Sequence, residues 1–317
     1  MSITHLNLTL SQPDIFLKES LNLGTGSPIV KLTTSKGVFV DRGFEFFLSP
    51  EEIQNEIQIT LWASQHDIAP KVQSYNMIHM VMEWIDGKHI QELSLDRVAD
   101  LAATFRKMHS LPAPMGITKA TQPRFVDQFL KIYLQMKQVT SIPNYLKIIK
   151  TKILEETKQQ EKLVCCHGDV HANNVIWAKD RLYLIDWTCS GLDFPIYDLA
   201  VSSMFWNFTA SQDGHLLKSY FQKIPDEDCI QKFTVFKNFA RICWAMWPIV
   251  KILADFPQKA KDLGDILEKR IKIPTLRTFE EYRRSLFDGT FKALVREPDD
   301  WIDVHLARIQ ASNFNTY

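Results

Sequence analysis

The chain has 317 residues, enough for two lobes with separate hydrophobic cores. Its 37 Lys and Arg balance its 37 Asp and Glu, so the overall charge does not favour a nucleic acid or an anionic membrane as partner. Hydrophobic residues make up 45% and charged residues 23%, the balance of a soluble globular protein. The apolar run from Ile242 to Val250 is too short to cross a bilayer, so no membrane insertion is expected.

The cysteines and the N-terminus indicate the compartment. Residues 1–14 lack the basic segment and long apolar core of a signal peptide. The 5 cysteines are an odd number and contain no Cys-x-x-Cys pair, which disfavours zinc and a disulfide framework. We therefore expect a reducing, cytoplasmic location, while the oligomeric state stays open.

Short β-strands are predicted near the N-terminus, around a glycine turn formed by Gly24, Gly26 and Ser27. Such a turn lets backbone N–H groups approach phosphates closely, although two glycines also fit a plain hairpin. Farther along, side-chain alternation places Arg42 on the same strand face as Val40. The planar guanidinium fork of Arg42 would suit a phosphate, and the alternative is a surface arginine.

A helix is predicted from Ser49, which has the features of an N-cap with Pro and Glu in the first turn. Its apolar stripe comprises Ile53, Ile57 and Leu61. Glu56 lies on the flank of that stripe. It is either a functional acid or a solvated helix acid. Two strands are then expected at residues 68–72 and 78–84. Beyond them, helical spacing predicts three segments: 98–108, 125–138 and 145–159.

The polar residues that favour chemistry lie between Leu163 and Asp186. An apolar run ends at the turn His167-Gly168-Asp169, and Asn174 follows at the start of a strand. A predicted hairpin returns Asp186 to the side of Asn174. Three acid or amide oxygens therefore converge, from Asp169, Asn174 and Asp186.

Oxygen ligands of this kind suit Mg²⁺, which typically binds one or two carboxylates together with substrate phosphates. One acid would remain as a base, which completes the components of a phosphoryl-transfer site. The alternative is that Asp169 caps a turn, Asn174 begins a strand and Asp186 is a solvated loop acid.

The motif HGDVHANN followed by LIDW resembles the signature of the aminoglycoside phosphotransferase and choline kinase superfamily. The resemblance implies an α+β, bilobal, protein-kinase-like fold. A small β-rich N-lobe (residues 1–86) would bind the nucleotide, and a large, mostly helical C-lobe (residues 87–317) would bind the substrate and perform catalysis. It also implies ATP and Mg²⁺ as cofactors and a small-molecule alcohol as phosphoryl acceptor.

The resemblance assigns roles to individual residues. Asp169 would be the catalytic base that also contacts the substrate, and Asn174 and Asp186 would hold Mg²⁺. The positions implied for nucleotide binding are Gly24, Gly26, Ser27, the Arg42–Glu56 pair, and the hinge residues Glu83 and Ile85. The supporting residues of the catalytic loop would be His167, His171 and Asp198. We interpret His109 as a packed histidine.

An aromatic helix predicted at residues 233–254 bears on the acceptor. Pro248 is expected to kink it next to Trp244 and Trp247. The fragment CWAMWPIVK resembles choline and ethanolamine kinases, where a Trp-x-x-Trp pair forms aromatic walls for an ammonium group. Phe256 is a candidate third wall. The alternative, that both tryptophans belong to the core, stays open.

The sequence thus predicts an ATP-dependent kinase for an amino alcohol such as choline, ethanolamine or thiamine. An antibiotic (aminoglycoside-type) kinase or a homoserine-like kinase is the alternative. Gly168 stands where eukaryotic choline kinases have Asn, and His171 fits the antibiotic and homoserine kinases. A pseudokinase that binds nucleotide without catalysis is disfavoured, because all three residues of the predicted phosphoryl-transfer site are intact.

Overall fold

The structure, a computed structural model, describes residues 15–21, 28–44, 48–118, 162–179, 181–237 and 240. The chain divides into two compact units. Unit 1 comprises Met1–Ala120, Leu163–Asp198 and Ala210–Lys223, and unit 2 comprises Thr121–Lys162, Leu199–Thr209 and Ile224–Tyr317. All residues of the candidate site described below belong to unit 1. The lobe boundary expected after residue 86 stays a prediction.

Unit 1 begins with a five-stranded antiparallel sheet of strand order β1-β2-β3-β5-β4. Its strands are β1 (Ile15–Leu21), β2 (Ile29–Thr34), β3 (Gly37–Gly43), β4 (Val72–Tyr75) and β5 (His79–Glu83). The turn between β2 and β3 needs Gly37, whose φ of 133° is unfavourable for residues with a Cβ. This sheet positions Arg42, which lies near the end of β3.

Helix α1 (Pro50–Gln65) packs on this sheet. It begins as the sequence predicts: the Glu52 N–H donates to Ser49 Oγ (3.3 Å), and the Ser49 N–H donates to Glu52 Oε2 (2.9 Å). Its Ile57 is 1% exposed and packs with Met80 and Met82 of β5. This packing orients the helix so that the neighbouring Glu56 is also buried.

The strand expected at residues 68–72 begins only at Val72. Residues 68 and 69 instead complete the end of α1, because the N–H groups of Ile68 and Ala69 both donate to Ala63 O, at 2.9 and 3.3 Å. The prediction of a strand over 68–71 is therefore wrong. A short apolar segment fits a helix C-terminus as well as a strand, and tertiary hydrogen bonds decide between them.

Farther along the chain lie α2 (Leu95–Ser110) and two short two-stranded sheets. The small sheets pair β6 (Val164–Cys166) with β9 (Gly191–Asp193) and β7 (Val175–Trp177) with β8 (Leu182–Leu184). Helices α3 (Pro195–Phe205) and α4 (Ala210–Phe221) follow. The apolar stripe predicted for α2 is fully buried: Val98, Leu101, Ala102, Phe105 and Met108.

The structure leaves several predicted elements untested. The helices expected at 125–138 and 145–159, and most of the one expected at 233–254, lie outside the described residues. Within the described part of the chain, no helix is long and apolar enough to span a membrane.

Gly87 lies where the chain approaches β7. Its neighbour Lys88 exchanges two backbone hydrogen bonds with Trp177, of 3.0 and 2.9 Å. A Cβ at Gly87 would lie 2.6 Å from Ile176 Cγ2 and 2.8 Å from Trp177 O, inside van der Waals contact. We expect Gly87→Ala to lower the free energy of unfolding by about 1–3 kcal/mol, as overpacking does. Thermal denaturation measures the effect.

Gly214→Ala is the matched control for this substitution. Gly214 lies in α4, and a Cβ there would meet no atom within 4 Å. Because Ala also favours the helix, the control should keep or raise the melting temperature. Equal melting temperatures for wild type and Gly87→Ala would contradict the close approach described here.

Candidate active site

The turn His167-Gly168-Asp169 follows β6, and its backbone is held by hydrogen bonds to the Asp198 carboxylate. The N–H of His167 donates to Asp198 Oδ2 (2.9 Å), and the N–H of Gly168 donates to Asp198 Oδ1 (2.7 Å). Gly168 has φ of 79°, a conformation that glycine adopts without steric cost. The buried carboxylate thus shapes the loop that presents Asp169.

Asp198 is itself held by His109. The two side chains meet at 3.0 Å through His109 Nε2, while His109 Nδ1 lies 3.0 Å from the Tyr220 hydroxyl. Burial raises the pKa of Asp198, but the hydrogen bonds from His109 and Gly168 outweigh it and leave the pKa below its ordinary value. His109 is therefore a buried histidine that packs against Asp198, as interpreted from the sequence.

His167 links the turn that carries Asp169 to the residue that follows β8. Its Nε2 donates to Ile185 O (3.0 Å), and its Nδ1 accepts from the Asp169 N–H (3.3 Å). Because a carbonyl can only accept and an amide N–H can only donate, these partners specify the neutral Nε2–H tautomer. His167 thus connects the backbone of Asp169 with the residue preceding Asp186.

Asp169 and Asn174 are in direct contact. The Asn174 Nδ2 donates to both Asp169 O (2.9 Å) and Asp169 Oδ2 (3.0 Å). Since the amide nitrogen makes both bonds, the amide oxygen is the atom of Asn174 suited to a cation. His171 lies on the other side, with Nε2 3.5 Å from Asp169 Oδ1, while its Nδ1 accepts from Asn173 N at 3.1 Å.

The predicted hairpin brings Asn174 and Asp186 to neighbouring positions. The N–H of Ile185 donates to Asn174 O at 3.0 Å, so Asp186 follows directly. Asp186 has φ of 63°, which is uncommon for a residue other than glycine but tolerated by Asp. Desolvation raises the pKa of Asp186, but Arg42, the Thr188 hydroxyl, His167 and His171 together outweigh it and lower that pKa.

Arg42 and Glu56 form a close ion pair, as the resemblance implied. The exposed fraction is 10% for the Arg42 side chain and 2% for that of Glu56. Burial raises the pKa of Glu56, and the charge of Arg42 opposes that shift. Arg42 also reaches beyond the pair, because its Nη2 donates to Asp186 Oδ1 (2.8 Å) and Thr188 Oγ1 (3.0 Å).

Thr188 is a residue of the site that was not predicted from the sequence. Its only signal was its position two residues after Asp186, where a loop threonine is unremarkable. In the structure its hydroxyl donates to Asp186 Oδ1 at 2.7 Å. This contact makes Thr188 part of the cluster.

The remaining predicted positions divide into two groups. Glu83 ends β5, and its N–H donates to Lys71 O (2.8 Å); Ile85 follows it and is half-buried. The other predicted residues lie outside the described part of the chain: Gly24, Gly26, Ser27, Trp244, Trp247 and Phe256.

The donor set fits Mg²⁺. Asn174 offers an amide oxygen and Asp186 a carboxylate with a lowered pKa, and hard oxygens are the ligands this ion prefers. The Asp186 side chain is 39% exposed, so a hydrated cation can reach it. With Asp169 beside Asn174, the arrangement can hold a metal–phosphate complex next to a carboxylate base.

Comparison with known proteins identifies relatives of this chain. Residues 19–233 match the profile of the Phosphotransferase enzyme family, APH. Protein LicA of Haemophilus influenzae is 25% identical over 123 residues, which cover 37% of this chain and 44% of LicA. The chain thus spans less than half the length of the curated relatives it matches.

Solved structures share the fold. A choline/ethanolamine kinase family protein from Mesorhizobium loti superposes with a TM-score of 0.62 at 20% identity, covering 93% of each chain. The choline kinase LicA from Streptococcus pneumoniae gives a TM-score of 0.61 at 17% identity, covering 79% of this chain and 92% of that one. A ternary complex of streptomycin, ATP and APH(2")-IIa gives 0.56 at 17% identity, covering 78% and 90%.

These neighbours confirm the predicted α+β, kinase-like fold. The family match covers more than half of the chain, including every described residue of the cluster around Asp169 and Asp186. The chain therefore belongs to the Phosphotransferase enzyme family.

Proposed function

We propose that this enzyme transfers the γ-phosphoryl group of ATP, with Mg²⁺, to the hydroxyl of a small amino alcohol such as choline, ethanolamine or thiamine. The observation that carries the proposal is the convergence of Asp169 and Asn174, in contact at 3.0 Å, with the Arg42–Asp186 pair at 2.8 Å. A base, two metal ligands and a phosphate-binding cation are the components that phosphoryl transfer requires.

Each residue of the cluster has a task in this reaction. Asp169 orients the acceptor hydroxyl and takes its proton, and the bond from Asn174 Nδ2 to Asp169 Oδ2 fixes the plane of that carboxylate. Arg42 contacts the nucleotide phosphates while Glu56 holds its guanidinium, which stays charged at any physiological pH. Asn174 and Asp186 hold Mg²⁺, which supplies charge neutralisation at the phosphates.

We also propose that each of the two predicted lobes binds one of the two substrates. The nucleotide belongs to residues 1–86, with its phosphates under Gly24, Gly26 and Ser27 and its purine against the backbone of Glu83 and Ile85. The acceptor belongs to residues 87–317. We place the enzyme in the cytoplasm, which supplies ATP and keeps thiols such as those of Cys165 and Cys166 reduced.

The amino-alcohol acceptor is supported by the Trp244 and Trp247 motif and by fold neighbours described as choline and ethanolamine kinases. Aromatic faces hold a desolvated quaternary ammonium group with about 2 kcal/mol, or roughly 30-fold in affinity. We therefore expect Trp247→Ala to raise the KM for the amino alcohol by about that factor and to leave the KM for ATP nearly unchanged. Steady-state kinetics with each substrate varied in turn measures both.

Trp247→Phe is the control, because it keeps an aromatic face and should retain most of the affinity. If Trp247→Ala changed neither KM, or both equally, Trp247 would belong to the core and the cage proposal would be wrong.

An aminoglycoside-type kinase is the second candidate. It is supported by Gly168, by His171 beside Asp169, and by the streptomycin-bound fold neighbour. Turnover of the wild type with choline, ethanolamine, thiamine, homoserine and an aminoglycoside separates the candidates. Phosphorylation of the aminoglycoside alone would replace the amino-alcohol proposal, and Mg²⁺-ATP binding without turnover of any acceptor would favour a pseudokinase.

A further inference from the structure

Thr188 lies at the junction of three charged side chains. Its Oγ1 accepts from Arg42 Nη2 (3.0 Å) and lies 2.7 Å from Asp186 Oδ1 and 3.3 Å from Glu56 Oε2. A hydroxyl has a single proton, so it can donate to one carboxylate at a time. The shorter distance selects Asp186 as the acceptor, in a charge-assisted hydrogen bond.

The Asp186 carboxylate needs such an anchor for two reasons. Its side chain is 39% exposed, so packing alone does not hold the carboxylate in one orientation. Its other partner, Arg42, is shared with Glu56. In the proposed reaction Arg42 also binds the nucleotide phosphates, so its donors are divided among several anions.

The Thr188 hydroxyl has no contact with the nucleotide phosphates in this proposal, and Glu56 Oε2, at 3.3 Å, is a more distant acceptor than Asp186 Oδ1. The hydroxyl is neutral, lies two residues from Asp186 on the same loop, and bonds to Oδ1, one of the two carboxylate oxygens. A bond to one oxygen fixes the rotation of the carboxylate and thereby the direction in which the other oxygen faces.

We propose that Thr188 is a positioning residue that orients the Asp186 carboxylate for Mg²⁺, so that the metal affinity of the site depends on the Thr188 hydroxyl. This inference rests on the proposed function, in which Asp186 is a metal ligand. It adds Thr188 to the site. The two partners of Asp186 then have different roles: Arg42 binds the nucleotide phosphates, and Thr188 orients the Asp186 carboxylate.

The test compares Thr188→Val, which keeps the shape and removes the hydroxyl, with Thr188→Ser, which keeps the hydroxyl. The readout is Mg²⁺ affinity, from calorimetric titration of the enzyme with Mg²⁺ at a saturating concentration of a non-hydrolysable ATP analogue. We expect Thr188→Val to weaken Mg²⁺ binding about tenfold or more, the effect of losing a hydrogen bond to a charged group. Thr188→Ser should restore the affinity to within about threefold of wild type. Binding of the analogue in EDTA should be unchanged in all three proteins.

Thr60→Val is the matched control, because it also removes a buried threonine hydroxyl close to the cluster. The Thr60 hydroxyl donates to the main-chain oxygen of Glu56 (2.8 Å). This control should keep wild-type Mg²⁺ affinity. If Thr188→Val fails to fold, Thr188→Ala removes the hydroxyl without adding an apolar branch and gives the same comparison.

The outcomes separate this inference from the proposed function. Wild-type Mg²⁺ affinity in Thr188→Val, or failure of Thr188→Ser to restore it, overturns the role of the hydroxyl and leaves the kinase proposal standing. If the wild type itself binds the analogue equally well with and without Mg²⁺, both proposals are wrong.

Discussion

Asp169→Asn is expected to lower kcat by about 10²-fold or more, the usual range for loss of a general base. An amide cannot take the proton of the acceptor hydroxyl at neutral pH. The fold and the nucleotide affinity should be retained, because the Asn side chain has the same shape and its oxygen can still accept from Asn174 Nδ2, which lies 3.0 Å from Asp169 Oδ2. Single-turnover kinetics with the acceptor that the wild type uses, together with nucleotide titration, measure the two quantities.

Asp100→Asn controls for the loss of one negative charge. Asp100 lies in α2, its side chain is 58% exposed, and its ion pair with Arg97 joins residues of the same helix. This variant should turn over like the wild type. Near-normal kcat in Asp169→Asn would show that another group takes the proton.

The second large effect is expected at Asp186, where replacement by Ala should weaken Mg²⁺-dependent nucleotide binding by more than about 100-fold. Changes in the partners of metal ligands typically weaken metal affinity 10- to 100-fold, and the loss of a ligand itself should exceed that range. The Arg42–Glu56 pair does not depend on Asp186, so nucleotide binding in EDTA should persist. Calorimetry with and without Mg²⁺ separates the two.

Backbone conformation must be controlled in this experiment. At φ of 63°, Ala is less favourable than Asp, so Asp186→Ala should also lower thermal stability. Asp186→Asn retains tolerance for this conformation while removing the charge, and it should weaken Mg²⁺ binding with a smaller loss of stability. If both variants bound the Mg²⁺–nucleotide complex as tightly as the wild type, Asp186 would be a loop acid without a metal.

The turn that carries Asp169 is held by hydrogen bonds that do not involve the side chains of Asp169 or Asp186. Asp198 holds the turn before Asp169 through two backbone N–H groups, and His167 connects Asp169 with Ile185. Substitutions at Asp169 or Asp186 therefore leave the supporting hydrogen bonds of the loop in place. Loss of function in these variants should report on chemistry rather than on collapse of the loop.

The sequence alone determined the features that depend on neighbours along the chain. The capping box of Ser49 and Glu52, the buried stripe of α2 and the hairpin that pairs Asn174 with Ile185 were all predicted, and the structure contains them. These features can be predicted from the sequence because each depends on residues only a few positions apart.

Only the tertiary structure decided which distant side chains share the site. Arg42 bonds to Asp186 and Thr188 across 144 and 146 residues, and His109 meets Asp198 across 89. Many acids and hydroxyls in the chain could have served as partners, and local spacing does not distinguish among them. The choice arises because β3, α1 and the loop after β8 bury one set of polar groups together, where each buried charge requires a partner.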